Sequence, residues 1–217
     1  MEISSVREVF RKILRNIFFD SRCSLCKSNI DRATFLCSHC LENLKKEAYL
    51  KNIENYYYVF YYDEKIRELI ADYKLRNRKA LGIDLAYLIR KSLEKLIKEE
   101  QIDVIIPVPI SKNREKERGF NQVEYILDIL KIEYLKIVRI KNTKHMYSMK
   151  DYNKRRKNVE QVFLSELDLS NKRVLLVDDI VTSGATINAI SEELNKRNKN
   201  IDIKIFSIAI SRKYTAK

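Results

Sequence analysis

Apolar residues recur along this chain in two rhythms. From residue 2 to 19, Ile3, Val6, Phe10, Ile13, Leu14 and Ile17 fall at helical spacing, which predicts an amphipathic helix packed on the body of the protein. The run YYYVFYY at 56–62 is β-prone and reads as a half-buried strand rather than a stacking platform for nucleobases. Helical spacing returns over 64–75 and 80–98, where Leu81, Leu85, Leu88, Ile89, Leu96 and Ile97 share a face.

From residue 102 the pattern becomes one of short apolar runs separated by helices. IDVII, ending at Pro107, predicts a buried strand, and Val123, Ile126, Leu127 and Leu130 mark a helix. YLKIVRI (134–140) reads as a strand, and 141–158 is polar and basic. VLLVD (174–178) reads as a buried strand, 185–197 as a helix with Ile187, Ile190 and Leu194 on one face, and 201–210 as a last strand. Such alternation predicts an α/β fold with a parallel sheet covered by helices.

Composition narrows the function. Glycine occurs three times and proline twice, so the glycine spacings of a dinucleotide fingerprint or a Walker A loop are absent. Two histidines argue against a His-rich metalloenzyme. Lys and Arg total 43 against 30 Asp and Glu, a net charge of +13, which favours an anionic partner: a phosphorylated metabolite or nucleic acid. Apolar runs fall short of the roughly 18 residues that a membrane span needs. Charges at Arg7, Glu8, Arg11, Lys12 and Arg15 interrupt any signal-peptide core, so a cytoplasmic location is expected.

All four cysteines fall in two pairs, Cys23-x-x-Cys26 and Cys37-x-x-Cys40. Each pair suits a tight knuckle, and two knuckles make a tetrathiolate site for a structural Zn²⁺. A redox pair and a rubredoxin-like iron site are the alternatives. His39 can substitute for a cysteine ligand, but beside Cys40 it is expected to face solvent. With four protein ligands the metal would fold a segment too small to bury a core of its own.

The stretch 174–186, VLLVDDIVTSGAT, places Asp178 and Asp179 at the end of an apolar strand. A loop with Thr182, Ser183 and Gly184 leads into a helix that begins near Ala185 and Thr186. Hydroxyls, a glycine for close backbone approach and the free N–H groups of a helix start suit a dianionic phosphate. The two acids can accept hydrogen bonds from sugar hydroxyls or hold Mg²⁺. Open α/β sheets bind ligands at this edge.

This stretch resembles the 5-phosphoribosyl-1-pyrophosphate (PRPP) signature of type I phosphoribosyltransferases. The remaining motifs resemble the ComF family, competence-associated phosphoribosyltransferase-like proteins. The paired cysteines, the segment 62–86 with Lys74, IIPVPISKNREKERGFNQVE (105–124) and RRKNVEQVF (155–163) all follow that family's order over about residues 20–210. The resemblance implies a type I phosphoribosyltransferase-like parallel sheet flanked by helices, with a small N-terminal four-cysteine zinc module. It implies that Asp178 and Asp179 bind the ribose hydroxyls, and that Thr182, Ser183, Gly184, Ala185 and Thr186 form the 5′-phosphate loop. Pro107, Val108, Pro109 and Ile110 would form the pyrophosphate loop, with Lys112 and Arg114 as cations beside it, aided by Mg²⁺. Residues 141–158 sit where transferases have a mobile hood, with Arg118, Arg155, Arg156 and Lys157 as candidate hood or DNA contacts.

The expected organisation is an N-terminal helix over 1–19, a four-cysteine zinc knuckle over 20–45 and a phosphoribosyltransferase-like domain over 46–217. Two functions follow from the resemblance. One is handling incoming single-stranded DNA in natural competence, alongside other DNA-uptake or DNA-processing proteins, with a PRPP or related phosphate site. The other is transfer of ribose 5-phosphate from PRPP to a nucleobase in salvage. A PRPP-sensing regulator is a third. No motif reads a particular base, so the sequence leaves enzymatic activity open.

Overall fold

The computed structural model describes residues 22–30, 33–76, 78–139 and 163–215. The helix expected over 1–19 and the basic hood segment over 141–158, with Arg155, Arg156 and Lys157, lie outside the described residues.

Helix α1 (Ser38–Glu47) follows the second cysteine pair. Strands β1 (Lys51–Ile53) and β2 (Tyr56–Tyr61) form an antiparallel hairpin. Helix α2 (Glu64–Leu75) starts at Asp63, whose carboxylate accepts the Ile66 N–H at 2.9 Å. Such a cap satisfies one of the donors that every helix start leaves open. Helix α3 (Leu81–Glu99) buries Leu81, Leu85, Leu88, Ile89 and Leu96 of the expected stripe, adds Leu93, and leaves Ile97 half-buried. Then come β3 (Val104–Pro107), α4 (Lys112–Arg118), α5 (Gln122–Leu130), β4 (Val138–Arg139), β5 (Phe163–Leu164), β6 (Arg173–Val181), α6 (Ala185–Arg197), β7 (Asp202–Ile210) and α7 (Arg212–Thr215).

Among the described residues the main sheet runs β1-β2-β7-β6-β3, and every pairing except β1 with β2 is parallel. Its central strands are buried on both faces, as continuous apolar runs require. Leu175 and Val177 face one cluster, with Leu69, Leu85 and Val123 from α2, α3 and α5. Val174 and Leu176 face the other, with Ile187, Ile190 and Leu194 from α6. The period-two alternation of a strand therefore sorts one sequence run into two cores. Cys23, Leu36, Cys40 and Leu44 belong to the first cluster, so the cysteine segment packs on the sheet-covering helices rather than standing apart.

Among the described residues, the strand expected over 134–140 comprises Val138–Arg139, paired with Phe163–Leu164. Its upstream part is tied to β3 by one bond, Leu135 N–H to Ile105 C=O at 2.9 Å, instead of a ladder. Two elements carry no signal in the apolar pattern. Helix α4 has no buried residue and hence no apolar stripe to betray it, and β1 is only three residues long.

Candidate functional site

Two clusters of chemistry stand out: the cysteines and the carboxyl edge of the sheet. The four Sγ atoms of Cys23, Cys26, Cys37 and Cys40 lie within 4.8 Å of one another, with Cys26 and Cys37 at 3.6 Å. A tetrahedral zinc with bonds near 2.3 Å holds sulfurs about 3.8 Å apart, so the donor set fits that ion. The Cys37 N–H donates to Cys23 Sγ at 3.4 Å and the Cys40 N–H to Cys37 Sγ at 3.5 Å, which ties the two pairs together through the backbone. Hydrogen bonding from Ser28 pulls the Cys26 thiol down to about 6, whereas burial pushes Cys40 up. Cys37 caps α1 and Cys40 lies one turn along it, so the helix start sets the second pair. His39 is exposed and bonded to Asn43 at 3.0 Å, away from the sulfurs' role. These cysteines can hold a metal such as zinc, with every ligand position filled by protein.

At the sheet edge, β6 continues through the acid pair to Val181 before the chain turns. Thr182 and Ser183 are exposed, and Gly184 is the N-cap of α6 at φ +72°, with no side chain capping the helix. The first turn of α6 also carries no acid. Its N–H groups and positive dipole end are thus presented without a protein anion to use them. Gly184 is required twice over. Its backbone is left-handed, and a Cβ there would stand 2.8 Å from the Tyr214 ring of α7.

Asp179 has 5% of its side chain exposed, and its Oδ2 forms an ion pair with Lys74 Nζ from the last turn of α2. Asp178 Oδ1 accepts the Asp179 N–H at 2.8 Å. Burial, and then the Asp179 charge, push the Asp178 carboxyl up to about 8 against the pull of the Lys74 ammonium. Hydroxyls that donate to this pair, or a cation beside it, relieve that repulsion.

Pro107 ends β3, and the Val108 N–H donates to Val177 C=O at 2.8 Å, so the 107–110 loop leaves the sheet next to the acid pair. The buried side chain of Asn121 holds this loop. Its Nδ2 donates to Val108 C=O at 3.3 Å while its Oδ1 caps α5 through the Val123 N–H at 2.9 Å. Ser111 caps α4, which places Lys112 and Arg114 in the exposed first turn. Arg118, half-buried, donates to Gln122 Oε1. Burial pulls its guanidinium down, the Asp179 charge opposes that, and Arg114 adds a like charge.

Of the residues singled out from sequence, Asp178, Asp179, Thr182, Ser183, Gly184, Ala185 and Thr186 thus occupy one strand, turn and helix start. Pro107, Val108, Pro109 and Ile110 lie on the neighbouring strand end and loop. Three contributors have no role assigned from sequence: Tyr214 behind Gly184, which lies outside the motifs, and Asn121 behind the 107–110 loop and Tyr73, which lie inside them. The Tyr73 hydroxyl donates to Gln122 C=O at 2.8 Å beneath Arg118. Lys74 is visible in sequence only within a longer motif, without its partner.

Residues 74–214 match the phosphoribosyl transferase domain family. Competence protein F of Haemophilus influenzae is 28% identical over 88% of this chain and 98% of its own length. Competence protein ComFC of Streptococcus pneumoniae is 32% identical over 69% of this chain and 66% of that protein. DNA utilization protein YhgH of Salmonella typhi is 24% identical over 80% of this chain and 78% of its own. The matched span includes β3, β6, α6 and both halves of the Lys74–Asp179 pair. The chain belongs to the phosphoribosyl transferase domain family, as a ComF-type member with a four-cysteine cluster at its N-terminal end.

Proposed function

We propose that this protein acts in natural competence, in the cytoplasm, where it handles incoming single-stranded DNA and binds PRPP or a related phosphorylated ligand at the sheet edge. The observation that carries the ligand reading is the juxtaposition of the acid pair with a helix start that no side chain caps. A phosphate takes the helix N–H groups, and the carboxyls on the adjoining strand take the ribose hydroxyls. Lys112 and Arg114, exposed in the first turn of α4 just after the 107–110 loop, would be the cations for the pyrophosphate. Asp178 would be the carboxylate free to help hold Mg²⁺, since Lys74 is already paired with Asp179, and the ion would supply charge neutralisation to the ligand's pyrophosphate. The names of the relatives support the DNA role, and the net charge of +13 suits a phosphate backbone.

A titration of fluorescent single-stranded DNA at several salt concentrations tests this role. Binding should weaken steeply with salt. Neutralising Lys154, Arg155, Arg156 and Lys157 together should flatten the slope by up to about 3, at roughly 0.7 per phosphate contact. Absence of DNA binding at low salt, together with base-dependent release of pyrophosphate from PRPP, would instead establish the second reading. That reading is a transferase delivering ribose 5-phosphate to a nucleobase, and the complete acid pair is what favours it.

A further inference from the structure

One helix reaches both chemical centres. Ser24, between Cys23 and Cys26, is fully buried, and its hydroxyl accepts Arg78 Nη1 at 2.8 Å. The same Nη1 reaches Arg22 C=O at 3.2 Å and Asp72 Oδ2 at 3.1 Å. The Arg78 guanidinium lies 4.9 Å over the ring of Phe35, whose C=O accepts the Ser24 N–H at 2.8 Å. Asp72 is 1% exposed and takes Arg76 on its other oxygen at 2.6 Å. Two residues further along α2, Lys74 pairs with Asp179 of the acid pair. Earlier on the same helix, Glu68 pairs with Lys27, whose Nζ also bonds Ser24 C=O at 2.7 Å.

We infer that Arg78 and Asp72 are positioning residues that couple occupancy of the four-cysteine centre to ligand binding at Asp179. The inference rests on the PRPP reading above and adds its regulation. A metal on the four thiolates closes the loop that holds Ser24 and Phe35 against Arg78. Without it, Arg78 loses its fixed seat. Asp72 is buried and keeps only the largely exposed Arg76 when Arg78 leaves, so losing the buried one of its two counter-charges shifts the carboxylate and the turn that carries it. Asp72 and Lys74 share the last turn of α2, so that movement displaces the ammonium on Asp179. A ligand at Asp179 fixes Lys74 and acts back along the same helix, because coupling between two binding events is reciprocal.

The test uses the zinc-loaded, full-length protein and a chelating dye that reports zinc release, with and without saturating PRPP in excess Mg²⁺. Calorimetry on the same samples confirms that PRPP is bound. PRPP should slow zinc release about fivefold, the lower end of typical couplings in affinity, since affinity differences between related complexes fall mostly in the off-rate. Arg78→Lys keeps the charge but lacks the planar guanidinium that stacks on the Phe35 ring while its Nη1 reaches Ser24 and Asp72. It should still bind one zinc and PRPP, yet release zinc at the same rate with or without PRPP. Lys65→Gln, on the same helix but paired with Glu47, should behave as wild type. A merely structural arginine would change the release rate and leave its dependence on PRPP intact, which overturns the inference. Equal release rates in wild type despite measured PRPP binding overturn it alone. Wild type that binds no PRPP overturns the proposed ligand and this inference together.

Discussion

The cysteine cluster and the acid edge are built on opposite plans. The cluster draws its ligands from eighteen consecutive positions, Cys23 to Cys40, and its geometry follows from two knuckles and one helix start. The acid edge draws on α2, the loop after β3, α4, α5, β6, α6 and α7, which are distant in sequence. The first is a single set of four thiols that one ion such as zinc could hold. The second is held by a buried ion pair, a glycine seat and a buried asparagine, each of which can be removed separately.

The largest expected effect tests whether the two regions fold as one. Removing the metal by chelation, or by Cys40→Ser, should abolish a stoichiometry of about one zinc per chain. Structural zinc contributes on the order of 10 kcal/mol in small modules. Because Cys23, Leu36 and Leu44 share a core with Leu69 and Leu85, the whole molecule should lose thermal stability in one transition. Two well-separated transitions in scanning calorimetry would show that the cluster is an independent unit.

Next comes the ion pair. Asp179→Asn leaves the Lys74 ammonium, 19% exposed, without its direct partner and with only the neighbouring Asp178 carboxyl to offset it. Loss of one partner of such a pair should cost about 3 kcal/mol in urea denaturation. Lys74→Met in the same chain should recover part of that stability and none of the PRPP affinity. A double variant no more stable than the single one would mean that Lys74 does not rest on Asp179.

A smaller effect isolates the glycine seat. Gly184→Ala should cost about 1–2 kcal/mol from the left-handed backbone alone, plus the collision with Tyr214. Adding Tyr214→Ser should relieve the collision and leave the backbone cost. Full recovery in the double variant would show that the ring, rather than the positive φ, demands glycine there.

The mildest test is pH, because Asp178 is only half-buried and solvent screens its charge. The Asp178 carboxyl is raised to about 8 in the folded chain, chiefly by burial. Its contribution to stability is fully present below about pH 4, the ordinary carboxylate value, and is lost as pH rises through about 8. Ligand-free protein should therefore melt at a lower temperature at pH 8 than at pH 5, and Asp178→Asn should flatten that dependence. An unchanged slope in the variant would place the titrating group elsewhere.

The same contrast explains what is legible in the sequence. Local chemistry is: the cysteine spacing, the apolar run into Asp178 and Asp179, the TSGAT turn and the helix after it all rest on residues close in the chain. The α2 and α3 helices are legible because their buried faces repeat at helical spacing. What escapes is either short, as in β1, or unpatterned, as in the wholly unburied α4. The partners of the site escape for another reason. The contact between Lys74 and Asp179 spans more than a hundred residues, and nothing in the local pattern at Tyr214 or Asn121 announces which loop each supports. Arg78 reads as one more surface cation in a basic chain, yet only 12% of its side chain is exposed.

The most direct measurement of the central claim is a crystal structure of the protein with PRPP and Mg²⁺. The account predicts the 5-phosphate on the N–H groups at the start of α6, beside Gly184, with the ribose hydroxyls on Asp178 and Asp179. Density for the ligand elsewhere, with the helix start and the acid pair left to water, would contradict it.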